Sequence, residues 1–438
     1  MATFHIWTLG CQMNQADSLK LAAGLEQLGY HEAPSEDDAD LFVINTCSVR
    51  QHAEDRAYSK LGVLRKRRNE GRKLQIAVMG CMVGPKTDDL ERRFPYVDAW
   101  ARPQQFDPIL DLASMERDVS EGELGSSLIQ MDATFGTPPG PTAYVPVIHG
   151  CDKFCTYCIV PLRRGREESR TSADILAEVQ HLANHGVREV TLLGQTVEAY
   201  GHDLEDEDSD LATLFEGIEA IEGIARTRFL TSYPKDMTDR IINAVADLPK
   251  VCEHFNIPVQ SGSNSMLNRM RRGYRVEDFE ERVKQIRSRM PDAAIATDVI
   301  VGCPGETDAE FQETLDLLTR SQFNVIHVAA YSPRPGTYAY KNFEDDVPRE
   351  LKKERLQAIE EIHAASSERI NQRLLGRTVE VLVEREADDR STGRTRHGQL
   401  VHFDATGHLG ELVEVSIDEV TSWSLRGRAA NTLALPFV

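Results

Sequence analysis

The feature that most constrains this chain is a thiol triplet, Cys151-Asp152-Lys153-Phe154-Cys155-Thr156-Tyr157-Cys158. Apolar residues at 143–148 predict a strand just before it, so the triplet falls on the loop at that strand's carboxyl end. That end is where a parallel α/β barrel carries its chemistry. Thiolates are the usual ligands of four-iron clusters, and three of them fill three irons and leave the fourth open. An open coordination position separates a catalytic metal site from a closed structural one. Zinc, the alternative, favours paired C-x2-C motifs or added histidines, which this spacing fits poorly.

The other cysteines are Cys11, Cys47, Cys81, Cys252 and Cys303. A chain of 438 residues with 41% hydrophobic side chains buries its own core and has little need of disulfide staples. The opening MATFHIWTLGCQMNQ has no basic segment before its apolar run, and no stretch approaches eighteen apolar residues. The expectation is a cytoplasmic protein with no membrane segment, whose clustered thiols are ligands. The formal charge of −20 argues against a generic nucleic-acid coat but leaves room for a local basic groove.

Three segments emerge: 1–117, 137–368 and 371–434. In the first, apolar runs end in Cys11, Cys47 and Cys81, spaced 36 and 34 residues apart, about one strand–helix–strand unit each. Helix-like stretches at about 17–28 and 49–68 lie between them. The reading is a parallel α/β domain with each cysteine at the carboxyl end of a strand, where open α/β sheets place ligands. A second metal cluster on this trio follows. Residues 118–142, rich in Gly, Ser and Pro, read as a linker. The middle segment alternates strands at 143–148, 188–193, 227–231, 254–257, 294–301 and 324–331 with helices, which predicts a partial (β/α)6 barrel. Thr171 with Asp174 and Thr307 with Glu310 have capping-box spacing. A long helix over 349–373 leads to a period-two pattern at Val379, Val381 and Val383, then runs at 400–403 and 412–417, which predict a small C-terminal β-barrel. The acidic run 203–210 reads as a solvated loop, and Cys252 and Cys303 as small core residues.

With these motifs in place, the chain resembles the radical SAM (S-adenosylmethionine) superfamily through C-x3-C-x2-C, and the methylthiotransferases through nearly its whole length. The residues that carry the likeness are Thr8-Leu9-Gly10-Cys11-Gln12-Met13-Asn14, Asn45-Thr46-Cys47-Ser48-Val49-Arg50, Met79-Gly80-Cys81-Met82 and Tyr331-Ser332-Pro333-Arg334-Pro335-Gly336-Thr337. The C-terminal barrel is similar to the RNA-binding TRAM domain. Within the family, Cys11-Gln12-Met13-Asn14 most resembles the tRNA-2-methylthio-N6-isopentenyladenosine synthases. Tyr233 stands where many members have His.

The resemblance implies two [4Fe–4S] clusters, an auxiliary one on Cys11, Cys47 and Cys81 and a radical SAM one on Cys151, Cys155 and Cys158. It implies SAM binding at Gly194, Gln195 and Gln260, and it leaves any catalytic residue beyond the cluster ligands unassigned. The implied reaction adds a methylthio group to C2 of N6-isopentenyladenosine at position 37 of tRNA. One SAM methylates sulfur held at the auxiliary cluster, and a second supplies the radical that removes hydrogen from C2. An unactivated aromatic C–H resists polar chemistry, which is why a cofactor must supply the radical. The implied partners are tRNA, a reducing electron-transfer protein and an unidentified sulfur donor, and the implied state is a monomer. RNA contacts are expected among Arg65, Lys66, Arg67, Arg68, Arg72 and Lys73; Arg163, Arg164 and Arg166; Arg269, Arg271 and Arg272; and Arg394, Arg396, Arg426 and Arg428, each against the alternative of a solvated face. Trp423 and Tyr274 are open to base stacking or to core packing. Two further readings remain: the same chemistry on threonylcarbamoyladenosine or on an aspartate of a small-subunit ribosomal protein, and a non-catalytic RNA scaffold with structural metal.

Overall fold

The computed structural model describes residues 1–49, 51–115, 140–205 and 209–430. Most of the expected linker, Arg50 and part of the acidic run lie outside the described residues. The chain divides into two compact units: Met1–Thr137 with Tyr144–Glu178 and Arg334–Lys341, and Pro138–Ala143 with Val179–Pro333 and Asn342–Val438.

The first unit is built on a five-stranded sheet. Its elements are β1 (Thr3–Leu9), α1 (Gln12–Gln27), β2 (His31–Glu32), β3 (Leu41–Thr46), α2 (Gln51–Asn69), β4 (Gln75–Gly80), α3 (Asp88–Arg93), β5 (Ala99–Ala101) and α4 (Asp107–Met115). Strand order is β2-β1-β3-β4-β5, parallel throughout. All six residues of β3 are buried, as expected of a strand covered on both faces. Leu41 and Val43 pack with Leu21, Leu25 and Leu110 on one face, and Phe42 and Ile44 with Leu61, Leu64 and Val78 on the other. The parallel α/β expectation is met with one correction. Helix α1 starts at Gln12 rather than near 17, because the Asn14 side chain accepts from the Cys11 N–H at 3.3 Å. That bond caps the helix where apolar periodicity gives no signal.

The expected six barrel strands appear within two residues of their predicted ends, five of them wholly in the second unit. Arg226–Leu230, Glu189–Leu193 and Thr142–Pro146 form one sheet, and His254–Asn256, Ala294–Val301 and Val325–Ala330 form a parallel second. A parallel bridge between Thr227 and Val251 lies between the two. Thr307 and Glu310 form the expected capping box. Helix Arg349–Gln372 leads to a closed five-stranded barrel, cored by Val381, Val383, Val401, Phe403, Val413, Val415, Ile417 and Leu425. Two buried arginines clasp this barrel to strand Arg226–Leu230. Arg226 donates to the Arg394 carbonyl at 2.7 Å and to Glu380 Oε1 at 2.7 Å. Arg228 donates to the carbonyls of Arg396 and Thr395, both at 2.7 Å. Among the described residues no helix is long and apolar enough to cross a membrane.

Candidate functional site

Strand register brings the amino-terminal thiols together. Leu9 pairs with Thr46, and Thr46 with Gly80, so Cys47 and Cys81 each follow a paired strand end directly and Cys11 follows two residues on. The Cys47 thiol donates toward Cys81, Cys11 feels the charge of Cys81, and Cys47 feels that of Cys11.

A buried amide pair forms the floor of this edge. Asn14 Nδ2 donates to Asn45 Oδ1 at 2.8 Å, while Asn45 Nδ2 donates to the Asn14 carbonyl at 2.7 Å and to Ser18 Oγ at 2.8 Å. It ties the Cys11 turn to the strand that ends at Cys47. Gly80 is glycine for a steric reason: its φ is +94°, and a Cβ there would sit 2.5 Å from both Asn45 Oδ1 and the Thr46 carbonyl.

The triplet Cys151, Cys155 and Cys158 belongs to the same compact unit. The Cys151 N–H donates to the Gly165 carbonyl at 3.1 Å and the Cys158 N–H to the Cys155 carbonyl at 3.0 Å. These bonds fold the loop so that Cys151 and Cys155 are buried and Cys158 half-buried. Helix α5 (Val160–Arg164) follows, its first N–H donating to Cys158 Sγ at 3.4 Å. Its last residue, Arg164, reaches the other trio: Nε donates to Cys81 Sγ at 3.3 Å and Nη2 to Asp17 at 3.3 Å. Both charged side chains are at most 2% exposed. The expectation that Arg164 touches RNA is therefore corrected, since its charge is taken up inside the protein.

Within the amino-terminal trio the electrostatics favour thiolate at Cys81, while burial pushes the Cys11 thiol up. The hydrogen bond from Cys47 and then the Arg164 cation bring the Cys81 thiol down to about 6, against the opposing effect of burial. The bond to Cys81, and then burial, push the Cys47 thiol up. No disulfide joins any of the eight cysteines. Among the described residues no three His, Cys, Asp or Glu side chains are arranged to hold a single metal ion. A four-iron cluster takes each thiolate on a different iron, so its ligands need not meet at one point. The donor set of three sulfurs with a buried cation against them, Nη1 of which finds no acceptor, suits an anionic sulfur-rich group.

In the second unit, Gly194 and Gln195 follow strand Glu189–Leu193, and Gln260 is held with φ +72° by bonds to Asp298 and Ile300. The side-chain oxygens of Gln195 and Gln260 are buried without a donor, as expected of acceptors that await an ammonium or hydroxyl group. Sequence reasoning missed Glu198 beside them. It is 2% exposed, Oε2 accepts from the Tyr233 N–H at 3.1 Å, and burial pushes its carboxyl up to about 8. Its only sequence signal is a carboxylate inside an otherwise apolar strand-end run.

The other expectations divide. Cys252 and Cys303 are core residues, 0% and 3% exposed. Tyr274 is buried, and its hydroxyl donates to the Val259 carbonyl at 2.9 Å, so it packs and does not stack on a base. Arg272 is buried against the Pro258 carbonyl and does not face solvent, and the half-buried Arg396 is engaged by the carbonyls of Pro249 and Val251. Arg65, Lys66, Lys73, Arg166, Arg271, Arg426 and Arg428 are exposed, as is Trp423 at 64%.

Comparison with known proteins matches this layout. Residues 145–318 fit the radical SAM superfamily, residues 3–102 the uncharacterized protein family UPF0004, and residues 372–430 the TRAM domain. The chain is 41% identical over 436 residues to a tRNA-2-methylthio-N(6)-dimethylallyladenosine synthase of Dehalococcoides mccartyi (strain CBDB1), covering 99% of this chain and 100% of that one. It is 42% identical to the Acetivibrio thermocellus protein of the same name, covering 96% and 89%. The radical SAM methyltransferase TsrM of Kitasatospora setae shares the fold, with a TM-score of 0.55 at 13% identity over 75% of this chain and 73% of that one. Superfamily membership brings an iron–sulfur cluster and SAM with it. With near-complete coverage at this identity, the chain belongs to the radical SAM methylthiotransferases, in the family of tRNA-2-methylthio-N(6)-dimethylallyladenosine synthases.

Proposed function

We propose that this chain adds a methylthio group to C2 of N6-isopentenyladenosine (the dimethylallyl nucleoside in the relatives' name) at position 37 of tRNA. The observation that carries the reading is 41% identity along the whole of both chains to a protein of that name. Two [4Fe–4S] clusters are assigned, one to Cys11, Cys47 and Cys81 and one to Cys151, Cys155 and Cys158. Register-matched strand ends and a tightly folded loop support the two sites. When bound, the clusters and SAM supply reducing power, transferable sulfur and a carbon radical.

The chain's own residues bind and orient. Gln195 and Gln260 offer buried oxygen acceptors to the polar groups of SAM, and Gly194 leaves room for its close approach. The Asn14–Asn45 pair holds the Cys11 turn against the Cys47 strand. Exposed Trp423, Arg426 and Arg428 on the TRAM barrel meet RNA, which predicts affinity that falls steeply with salt. A small electron-transfer protein is the expected reductant, the enzyme acts as a monomer, and its compartment is that of tRNA, the cytoplasm.

Mass spectrometry of tRNA nucleosides from a deletion strain tests the reading. The expected result is loss of the methylthio nucleoside with accumulation of isopentenyladenosine, restored by the parent chain. Loss of a threonylcarbamoyl derivative, or of a modified ribosomal aspartate, would replace the substrate. The Cys11→Ala chain should still cleave SAM under strong reductant yet give no thiomethyl product. The parent should bind about eight irons, whereas zinc without SAM cleavage would mean a scaffold.

A further inference from the structure

We propose that Arg164 is a positioning residue for the auxiliary cluster, a buried cation whose N–H group binds the Cys81 sulfur and favours the cluster's reduced state. This rests on the reading that Cys11, Cys47 and Cys81 hold a cluster. The geometry is specific. Arg164 ends the helix that begins two residues after Cys158, so one guanidinium is anchored to the loop of one thiol trio and bonded to a sulfur of the other. Nε is spent on Cys81 and Nη2 on Asp17, and Nη1 is buried without an acceptor. At 2% exposure the side chain cannot turn to water. Surplus donor capacity on a buried cation is costly unless an anionic group arrives to use it. Cys81 contributes one thiolate, and a cluster carries further anionic sulfide.

Hydrogen bonds to cluster sulfurs, together with positive charge, stabilise the more negative reduced state and raise the reduction potential. Asp17 acts in the opposite sense: it orients the guanidinium through Nη2 and offsets part of its charge. Arginine suits the role better than lysine because its fork serves two acceptors at fixed angles while staying charged.

The test is a redox titration of the reconstituted full-length chain followed by electron paramagnetic resonance, with iron counted per chain. A background with Cys151, Cys155 and Cys158 all changed to Ala identifies the auxiliary signal. In Arg164→Gln the reduced fraction of that signal at fixed poise should fall about tenfold, a shift of ~59 mV to more negative potential for one electron. Arg164→Lys should recover most of the shift, and Asp17→Asn should move the potential in the positive direction. If Arg164→Gln loses the auxiliary irons while Arg164→Lys keeps them, the charge is again what matters and the proposal stands.

An unchanged potential in Arg164→Gln at full iron content would overturn it. So would equal iron loss, or equal loss of folding by circular dichroism, in the Gln and Lys variants, because packing alone would then explain the residue. Absence of a second cluster from the parent chain would instead sink the underlying reading, so the two failures are distinguishable.

Discussion

Two buried acids, one in each unit, respond to burial in opposite ways. Cys81 is 4% exposed and its thiol is brought down to about 6. Glu198 is 2% exposed and its carboxyl is pushed up to about 8. Burial opposes the anion in both cases. Cys81 has a thiol donor in Cys47 and a guanidinium in Arg164, whereas Glu198 has the Ser232 hydroxyl, main-chain N–H groups and the added repulsion of Asp236. At Cys81 a thiol donor and then a fixed cation together outweigh burial, whereas at Glu198 neutral donors without a cation do not. The edge that needs thiolates has a cation built into it, and the carboxyl that sits away from any cation is held as the acid.

The comparison is tested most strongly where a buried cation is removed from its acceptors. Arg226, fully buried, serves the Arg394 carbonyl and Glu380. Arg226→Met should destabilise the chain by about 2–3 kcal/mol, measured by urea unfolding, because it removes charged hydrogen bonds to a carbonyl and to Glu380, which is itself 38% exposed. A loss well under ~1 kcal/mol would show that water takes the place of the guanidinium. Iron content should be unchanged, since Arg226 makes none of the bonds around the cysteines.

Glu198→Gln should have a pH-dependent effect, gaining on the parent by up to about 1.4 kcal/mol for each pH unit across the window. Because the folded-state carboxyl is raised, the native chain keeps a proton that the unfolded chain releases. Stability therefore falls as pH rises from the ordinary carboxyl range to about 8, and levels off above. Glutamine cannot ionise and removes that slope. The gap in melting temperature between variant and parent should open across this window and vanish at its acid end. A gap constant in pH would mean that Glu198 is neutralised by something other than its own proton.

Much of this was legible in the sequence. The three runs ending in cysteine set the sheet, because a parallel strand buried on both faces must be almost wholly apolar, as Leu41–Thr46 is. The six barrel strands followed from the alternation of patterns. What stayed hidden depends on distance across the fold. Arg164 stood in a basic cluster that composition reads as a solvated face, and only folding places Asp17, 147 residues away, against it. The Asn14–Asn45 pair, 31 residues apart, left no periodic signal, and Tyr274 could be assigned to the core only once its hydroxyl was seen to bond backbone.

That amide pair supplies the next test. Asn45→Ala leaves buried Asn14 Nδ2 with only its long 3.4 Å bond to the Thr46 carbonyl, at a cost of about 1–2 kcal/mol. If the pair is the floor of the auxiliary site, it should also lower the iron bound per chain toward half, with the radical SAM cluster retained. Loss of stability with full iron content would leave Asn45 a packing residue and narrow the cation's role at this edge to Arg164 and Cys81.

The smallest effect on stability should come from Trp423, where the contrast between buried and solvated groups is reversed. It is 64% exposed and meets His363 edge-on, with ring centroids 5.0 Å apart. Trp423→Ala should change unfolding free energy by no more than ~0.5 kcal/mol, because little buried surface is lost. A ring that large left in water, in the same stretch as exposed Arg426 and Arg428, would be a platform for a stacked base under the proposed RNA contact. Truncation should then weaken tRNA binding by about 1–3 kcal/mol, the worth of one stacked base. Arg426→Gln with Arg428→Gln should instead lower the salt dependence of binding. If Trp423→Ala costs stability but leaves tRNA affinity unchanged, the His363 contact is what holds the ring, and the RNA face of this barrel lies elsewhere.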